Sequence, residues 1–468
     1  LAAAAACAPA LAPAAGAGSG PPEAGTPIVL GSRRELLVDD FLIANSSGTE
    51  LRLHKPVPRE VAIVCDAPWE GNISAYYSLF QDGSRYRMYY RGQHYDEARH
   101  REAHPAVTCY AESRDGLVWE KPRLGLFEFQ GSRENNIVWA GEGTHNFTPF
   151  ADANPHGSPQ ARYKALAGGT TRLKGKPVPC LFAFGSADGL RWSRIADEAV
   201  ITAGAFDSQN LAFWDSLRGE YRAYWRIFAD GVRAIRTATS KDFLHWEHQA
   251  DVKYESSPVE HLYTNTVRPY FRAPQLLIGF PTRFQPKTQQ VEPVFMSSRD
   301  GLTFRRWSEA LVPITAPQDR AGNRSNYMTW GLLELPGHDR ELSVYATEAY
   351  YQGPGSRVRR FTFRVDGFVS AHAGSGGGSL TTRPITFRGR KLLLNIATAA
   401  SGCGRAELQD ASGRPIPGFT RDDCRPITGD HVEHAVSWKG GDLGPLAGRP
   451  VRLGLELEDA DLYAFQFR

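Results

Sequence analysis

Beyond its Ala-rich start, the chain has no run of about eighteen consecutive apolar residues, so it carries no candidate transmembrane helix. None of its 6 cysteines forms a Cys-x-x-Cys pair, which removes a thiolate zinc site. No Gly-x-Ser-x-Gly elbow sits between a strand and a helix, His-Glu-x-x-His is absent, and no P-loop or Gly-x-Gly-x-x-Gly precedes a helix. Those absences set aside serine esterases of that type, zinc proteases, and nucleotide or dinucleotide binding. The 13 histidines are scattered without ligand spacing, so no metal and no cofactor are expected; a structural calcium held by loop carboxylates would leave no such spacing. An excess of one charge is also missing. The 54 Lys+Arg against 51 Asp+Glu leave +3, too little and too evenly spread for nucleic-acid recognition.

Aromatic residues are abundant by contrast: 10 Trp, 18 Tyr and 24 Phe make up 11% of the chain. Together with 46 Gly and few helical apolar stripes they point to an all-β protein. Most of these rings are expected to fill cores, and some to stack on the C–H faces of sugars. At 468 residues the chain is long enough for two or three folding units. Residues 1–28 are rich in Ala, Pro and Gly and read as a signal-peptide remnant and disordered linker. That reading makes the protein exported, periplasmic or extracellular, with Cys7 after Ala-Ala-Ala as a lipid attachment point. Cys403 and Cys424 share the C-terminal segment and can either bridge or remain as buried thiols.

The strongest signal is an internal repeat. Ser113-Arg-Asp115-Gly116-Leu-Val-Trp119 recurs as Ser186-Ala-Asp188-Gly189-Leu-Arg-Trp192, Ser240-Lys-Asp242-Phe-Leu-His-Trp246 and Ser298-Arg-Asp300-Gly301-Leu-Thr-Phe304, with an echo at Arg364-Val-Asp366-Gly367-Phe368. The Asp positions step by 73, 54, 58 and 66 residues, the length of one four-stranded blade plus variable loops. Asp-Gly makes a tight turn because Asp bonds nearby backbone N–H groups and Gly accepts a positive φ. These residues are therefore read as structural. Alternating apolar strands precede each turn, such as Ala75–Phe80 with Tyr86–Tyr90 and Leu211–Trp214 with Tyr221–Trp225. Five echoes predict a five-bladed β-propeller over residues 29–372, closed by a strand at Leu36–Ile43. After a Gly-Ser hinge at Gly374–Gly378, residues 379–468 read as a C-terminal β-sandwich.

Several local runs carry a family resemblance: Leu37-Val-Asp-Asp-Phe-Leu-Ile43, Asp115-Gly-Leu-Val-Trp-Glu-Lys-Pro122 with Asn135-Asn-Ile137, Phe206-Asp-Ser-Gln-Asn-Leu-Ala-Phe-Trp-Asp215, and the C-terminal Leu392-Leu-Leu-Asn395, Pro415-Ile-Pro-Gly-Phe419 and Asp461-Leu-Tyr-Ala-Phe465. In them the chain resembles the five-bladed glycoside hydrolase superfamily of families 32, 43 and 68, and most of all the bacterial family-32-like proteins. The resemblance implies a glycosidase acting on a furanoside or an acidic polysaccharide or oligosaccharide. The first blade shows Trp69-Glu-Gly-Asn72 where family 32 carries Asp-Pro-Asn. That departure keeps a non-catalytic carbohydrate-binding propeller open as the alternative. A sialidase-like enzyme is a third reading, because the repeat resembles the sialidase Asp box; five blades rather than six speak against it.

Hydrolysis of a glycosidic bond needs two carboxyl groups on either side of it. Among acids that open blades, the family layout implies Glu70 as nucleophile or base, Asp207 as the group that orients the sugar, and Glu260 as general acid. Each has a structural alternative: packing beside Trp69 for Glu70, an Asx turn for Asp207, and a surface loop for Glu260. Glu348 on the fifth blade is a spare candidate. Arg91, Arg226 and Arg283 follow second strands of three blades and can read an anionic sugar or form ion pairs. Companions expected at the mouth are His94, His145, Asn146, Gln209, Asn210, Tyr263, Asn265, Tyr327 and Trp330, whose amides, imidazoles and rings suit sugar hydroxyls and faces.

Overall fold

A computed structural model describes residues 26–255, 257–314, 326–351 and 353–468. The expected signal remnant and the Cys7 attachment point fall in residues 1–25, outside the described residues. Among those described, regular structure is strand plus four short 3₁₀ turns, with no α-helix and no helix long and apolar enough to cross a membrane. The chain is all-β.

Four consecutive antiparallel meanders follow one another in sequence. Sheet I is Ala75–Asp82, Arg85–Gly92, Val107–Ser113 and Ile137–Ala140. Sheet II is Thr148–Ala151, Tyr163–Leu173, Lys176–Ser186 and Ser193–Arg194, and sheet III is Leu211–Asp215, Glu220–Ala229, Val232–Ser240 and Glu247–Asp251. Sheet IV is Arg268–Tyr270, Ala273–Gly279, Met296–Ser298 and Thr303–Arg306, extended by Lys253–Glu255 running parallel to its last strand. Sheet V pairs Glu341–Glu348 and Arg357–Arg364 with Val57–Val64. The strand that completes sheet V from the N-terminal side is therefore Val57–Val64, whereas Leu37–Leu42, inside the expected closing strand, forms bends and turns. Apolar alternation misled there because Leu37, Val38 and Leu42 are buried through irregular backbone rather than through a pleat.

The repeated turn works by local hydrogen bonding. Asp115 Oδ1 accepts from the amides of Leu117 and Val118, and Ser113 Oγ accepts from the Gly116 amide. Asp188, Asp242 and Asp300 repeat the same pattern two and three residues on. The third turn position needs a positive φ; Gly116, Gly189 and Gly301 supply +74°, +77° and +79°, and Phe243 is held at +72°. Trp119, Trp192 and Trp246 each donate an indole N–H, at 3.1 Å, to the carbonyl of that residue.

Tyrosines of one sheet then dock on the turn of the next. Tyr89 of sheet I donates to Gly189 O of sheet II at 2.9 Å, Tyr224 of sheet III to Gly301 O of sheet IV at 2.7 Å, and Tyr345 of sheet V to Gly116 O of sheet I at 2.6 Å. Between sheets II and III, Tyr221 donates to Asp152 at 2.7 Å; sheets IV and V pack Ile278 and Phe280 against Val344 and Phe363. The fifth echo of the motif behaves differently. Asp366 is fully buried and receives Arg34, Arg272 and the Tyr270 hydroxyl, tying the N-terminal segment and sheet IV to the end of sheet V.

The C-terminal region is a ten-stranded sheet with its own core, including Leu380, Phe387, Leu394, Leu408, Trp438, Leu455 and Phe467. Its spine is the pairing of Leu392–Asp410 with Val451–Phe467, long strands whose register shifts at Asn395/Ile396 and Thr398/Cys403. Ile28–Gly31, Arg34–Leu36, Ile43–Ser47 and Glu50–Leu53 add to this sheet from the other end of the chain. Gly374–Gly378 is a tight link inside it, with the Gly377 amide donating to Gly374 O at 3.0 Å. Cys403 and Cys424 are both free thiols.

Candidate active site at the meeting of the inner strands

The inner segments of the sheets are cross-tied. Leu79 and Trp330 exchange backbone hydrogen bonds with their neighbours, Leu79 N to Trp330 O at 2.8 Å and Trp330 N to Tyr77 O at 2.9 Å. Gln209 Nε2 donates to Tyr77 O at 2.9 Å, Ser208 Oγ to Tyr263 O at 2.6 Å, and Asn146 Nδ2 to Phe206 O. Segments from five separate stretches of the chain are thus tied to one another.

At one end of that centre seven side chains form a closed circuit. Arg91 donates to Ile73 O at 2.7 Å and to the Tyr350 hydroxyl at 2.9 Å, and its Nη1 lies 3.1 Å from the His145 ring nitrogens. His145 Nε2 is 2.8 Å from Asp207 Oδ1. Since arginine can only donate, both contacts are satisfied with Nδ1 accepting from Arg91 and Nε2–H donating to Asp207. Asp207 Oδ2 lies 3.7 Å from Arg226, whose guanidinium stacks 4.6 Å from the Tyr263 ring. Tyr263, Tyr327 and Tyr350 follow edge to face at 5.8 and 5.5 Å, and Tyr350 returns the circuit to Arg91.

Tyr76 sits inside this ring of contacts. It takes φ = 57°, a left-handed conformation for a bulky residue, where the pairing register slips between Ala75 and Ser78. The bulge turns its ring toward Arg91, at 4.9 Å, and His145, at 5.7 Å. Tyr76, Gln209, Thr264 and Tyr327 line a small recess there.

The electrostatics separate the groups. The hydrogen bond from His145, helped by Arg226 and Arg91, holds the Asp207 carboxyl down to about 2, so it is an anion at neutral pH. Burial pushes the Tyr76 and Tyr327 hydroxyls well above the usual phenol value and raises Tyr350 as well, so all three remain hydrogen-bond donors. The mouth therefore offers one carboxylate, buried guanidinium groups, an imidazole and neutral phenols. This set can bind hydroxyls and anionic groups, and Asp207 can orient a sugar or accept a proton.

Of the residues expected at the site, Arg91, His145, Asp207, Arg226, Tyr263 and Tyr327 are brought together. Glu70 and Glu260 do not join them. Glu70 is buried and accepts from Tyr90 of sheet I at 2.5 Å, Lys121 at 2.6 Å and the Ala67 amide at 3.1 Å. Glu260 has both oxygens on guanidinium groups, Arg283 at 3.0 Å and Arg306, and Arg283 also holds Glu292 at 2.7 Å. Glu348 is buried at the end of its strand against Arg357 and Arg359. Asn146, Gln209, Asn210, Asn265 and Trp330 are buried and direct polar groups to backbone, as in Trp330 Nε1 to Val267 O at 3.0 Å and Asn265 Oδ1 from the Val267 amide at 3.2 Å. His94 packs on Gly71, whose position leaves no room for a Cβ. Tyr76 and Tyr350 went unnoticed in the sequence; the pair Tyr350-Tyr351, just past the strand Glu341–Glu348, was the available signal for the latter. Among the described residues no group of three or more His, Cys, Asp or Glu is arranged to hold a metal ion.

No family model matches the sequence, and no curated protein matches it. Solved structures with a similar fold include a GH32 β-fructofuranosidase of Bombyx mori, 10% identical, covering 89% of this chain and 94% of that one with a TM-score of 0.43. An N-acetylgalactosamine deacetylase from F. plautii, in complex with blood group B trisaccharide, is 11% identical over 68% of this chain and 96% of its own, with a TM-score of 0.44. An endo-arabinase from Bacteroides thetaiotaomicron is 9% identical over 64% and 96%, with a TM-score of 0.40.

Proposed function

We propose that the chain is a five-bladed β-propeller with a C-terminal β-sandwich, and that it is a glycosidase whose substrate enters the mouth closed by Arg91, His145, Asp207, Arg226, Tyr263, Tyr327 and Tyr350. The propeller takes in residues 29–372 and the sandwich residues 379–468, the latter completed by N-terminal strands. The observation that carries the reading is the circuit itself, in which side chains from remote parts of the chain converge and Asp207 is the carboxylate in contact with it. A furanoside or an acidic oligosaccharide fits such a mouth, with hydroxyls on the phenols and imidazole and the Asp207 anion on the reacting sugar. The test is product release from a glycan panel by the protein and by Asp207→Asn, with folding followed by circular dichroism. Equal turnover by both removes Asp207 from the reaction.

A second reading is carbohydrate binding without turnover. It is favoured by one observation: Glu70 and Glu260 are engaged in ion pairs elsewhere, so the mouth holds one carboxylate where hydrolysis by two carboxyl groups needs a pair. Saturable glycan binding with no product over the whole panel would establish it.

A further inference from the structure

Most arginines of the molecule are answered by a carboxylate or a carbonyl. In sheet III alone, Arg218 pairs with Asp215 at 2.6 Å and Arg236 with Asp251 at 2.5 Å. Arg233 breaks this pattern, and Arg226 meets it through its Nε alone. Arg226 is only 5% exposed, and its Nε donates to Ala205 O at 3.0 Å, but its terminal nitrogens make no hydrogen bond among the described residues. Their one acidic neighbour at ion-pair range is Asp207 at 3.7 Å, beyond hydrogen-bond length. Arg233 has no ion pair or side-chain hydrogen bond at all among the described residues, and its Nε is buried without a partner. Its guanidinium is instead set among rings, 4.2 Å from Phe284 and 5.5 Å from both Tyr263 and Phe228.

The register explains why the two act together. Phe228 lies directly opposite Arg233 and Arg226 is two residues before Phe228, so all three share one face of the sheet, next to the mouth at Tyr263. Phe228 is 54% exposed, an unusual state for a large apolar ring. The result is two cations without a strong acceptor beside an open aromatic surface. Arginine forks of this kind bind carboxylate or sulfate in two-pronged fashion, and the ring gives a face on which a sugar can lie.

From this arrangement we infer that Arg226 and Arg233 form an anion subsite beside Asp207, and that the ligand of the mouth is a sugar bearing a carboxylate or a sulfate. This rests on the mouth being a carbohydrate site and does not require turnover. Arg233, the second guanidinium of the subsite, was invisible as a site residue in the sequence; Arg283, which resembled Arg226 there, already holds Glu260 and Glu292.

The test is calorimetric binding of trigalacturonate, its methyl ester and a sulfated galactotriose to the full chain. Either charged ligand should bind about tenfold or more tighter than the neutral ester, the effect of a charge-assisted hydrogen-bond pair. Arg226→Gln and Arg233→Gln should each remove about tenfold of that preference, read as the ratio of charged-ligand to ester affinity. Arg233 is partly exposed, so Arg233→Gln keeps the test sound if the buried Arg226→Gln fails to fold. Preference for trigalacturonate identifies the carboxylate, and preference for the galactotriose identifies the sulfate. Equal affinity for charged and neutral ligands, a preference untouched by Arg233→Gln, or no binding of either charged ligand overturns the inference. Charged-ligand preference without product release removes the glycosidase reading alone. Cleavage of neutral glycans with no charge preference removes the subsite alone.

Discussion

Asp207→Asn is the most informative single change, because three readouts should move differently. The amide oxygen can still accept from His145 Nε2, now 2.8 Å away, so the geometry survives while the charge goes. Stability should hardly change. A carboxyl held at about 2 against an ordinary value near 3.9 corresponds by linkage to about 2.5 kcal/mol, favouring the folded state above pH ~4 and lost as pH falls through ~2. The Asp207 side chain is 65% exposed, however, and solvent screening brings such a pair down to about 1 kcal/mol or less. Urea unfolding at pH 7 should therefore differ by less than about 1 kcal/mol, and the difference should vanish near pH 2. Turnover should fall by a factor of about 10²–10⁴, the usual contribution of a positioned carboxylate or base. Binding of an anionic sugar should instead tighten. A ligand anion on Arg226 would sit about 6 Å from the Asp207 charge, and removing that repulsion is worth roughly 1–3 kcal/mol at an effective dielectric constant of about 20–80. Calorimetry beside a reducing-sugar assay reads both quantities on the same preparation. Unchanged turnover with unchanged affinity would refute the placement of Asp207 at the ligand.

Other changes test the scaffold. Lys121→Met leaves Glu70 buried without its cation and should cost about 3 kcal/mol in urea unfolding; a cost near zero would mean that water already reaches Glu70. Tyr345→Phe removes the hydroxyl that ties sheet V to the Gly116 carbonyl and should cost about 1 kcal/mol, and adding Tyr89→Phe and Tyr224→Phe should sum, since the three docking points are separate. The Arg268 side chain has no hydrogen bond or ion pair among the described residues, and burial pulls its guanidinium down to about 10; Arg268→Met should stabilise by about 1 kcal/mol in the same assay, and a loss would reveal an unrecognised partner. Reductant should leave the melting temperature unchanged, because Cys403 and Cys424 are free; a drop on adding dithiothreitol would contradict that.

The parts of this molecule that were legible in its sequence are those built from short-range contacts. The Ser-x-Asp-Gly-x-x-Trp turn closes within six residues, so its hydrogen bonds could be anticipated at Asp115, Asp188, Asp242 and Asp300 from spacing alone. At the fifth, shorter echo the Asp366 carboxylate instead answers Arg34, 332 residues away, and Arg272, 94 away. Chain separation also decided the acids. Glu70 and Glu260 looked as eligible as Asp207, but Lys121 lies 51 residues beyond Glu70 and Arg306 lies 46 beyond Glu260. Local patterning does not show whether a distant cation will claim a carboxylate.

For the same reason, the mouth was half legible. Arg91 and Arg226 could be found because each lies in the second half of a second strand, a position that repeats with the sheets. Tyr76 could not, because an alternating Ala-Tyr-Tyr-Ser run gives no sign of the register slip that turns its ring to Arg91. Arg283 occupies a position like that of Arg226 and yet is neutralised by two glutamates, while Arg226 faces only a distant, exposed Asp207. What sets Arg226 apart from Arg283 is the partner that its terminal nitrogens lack. That property belongs to the assembled structure, since Arg91 and Arg226 come from strands and His145, Asp207, Tyr263, Tyr327 and Tyr350 from the segments between strands, and only their packing together decides which charges find a partner.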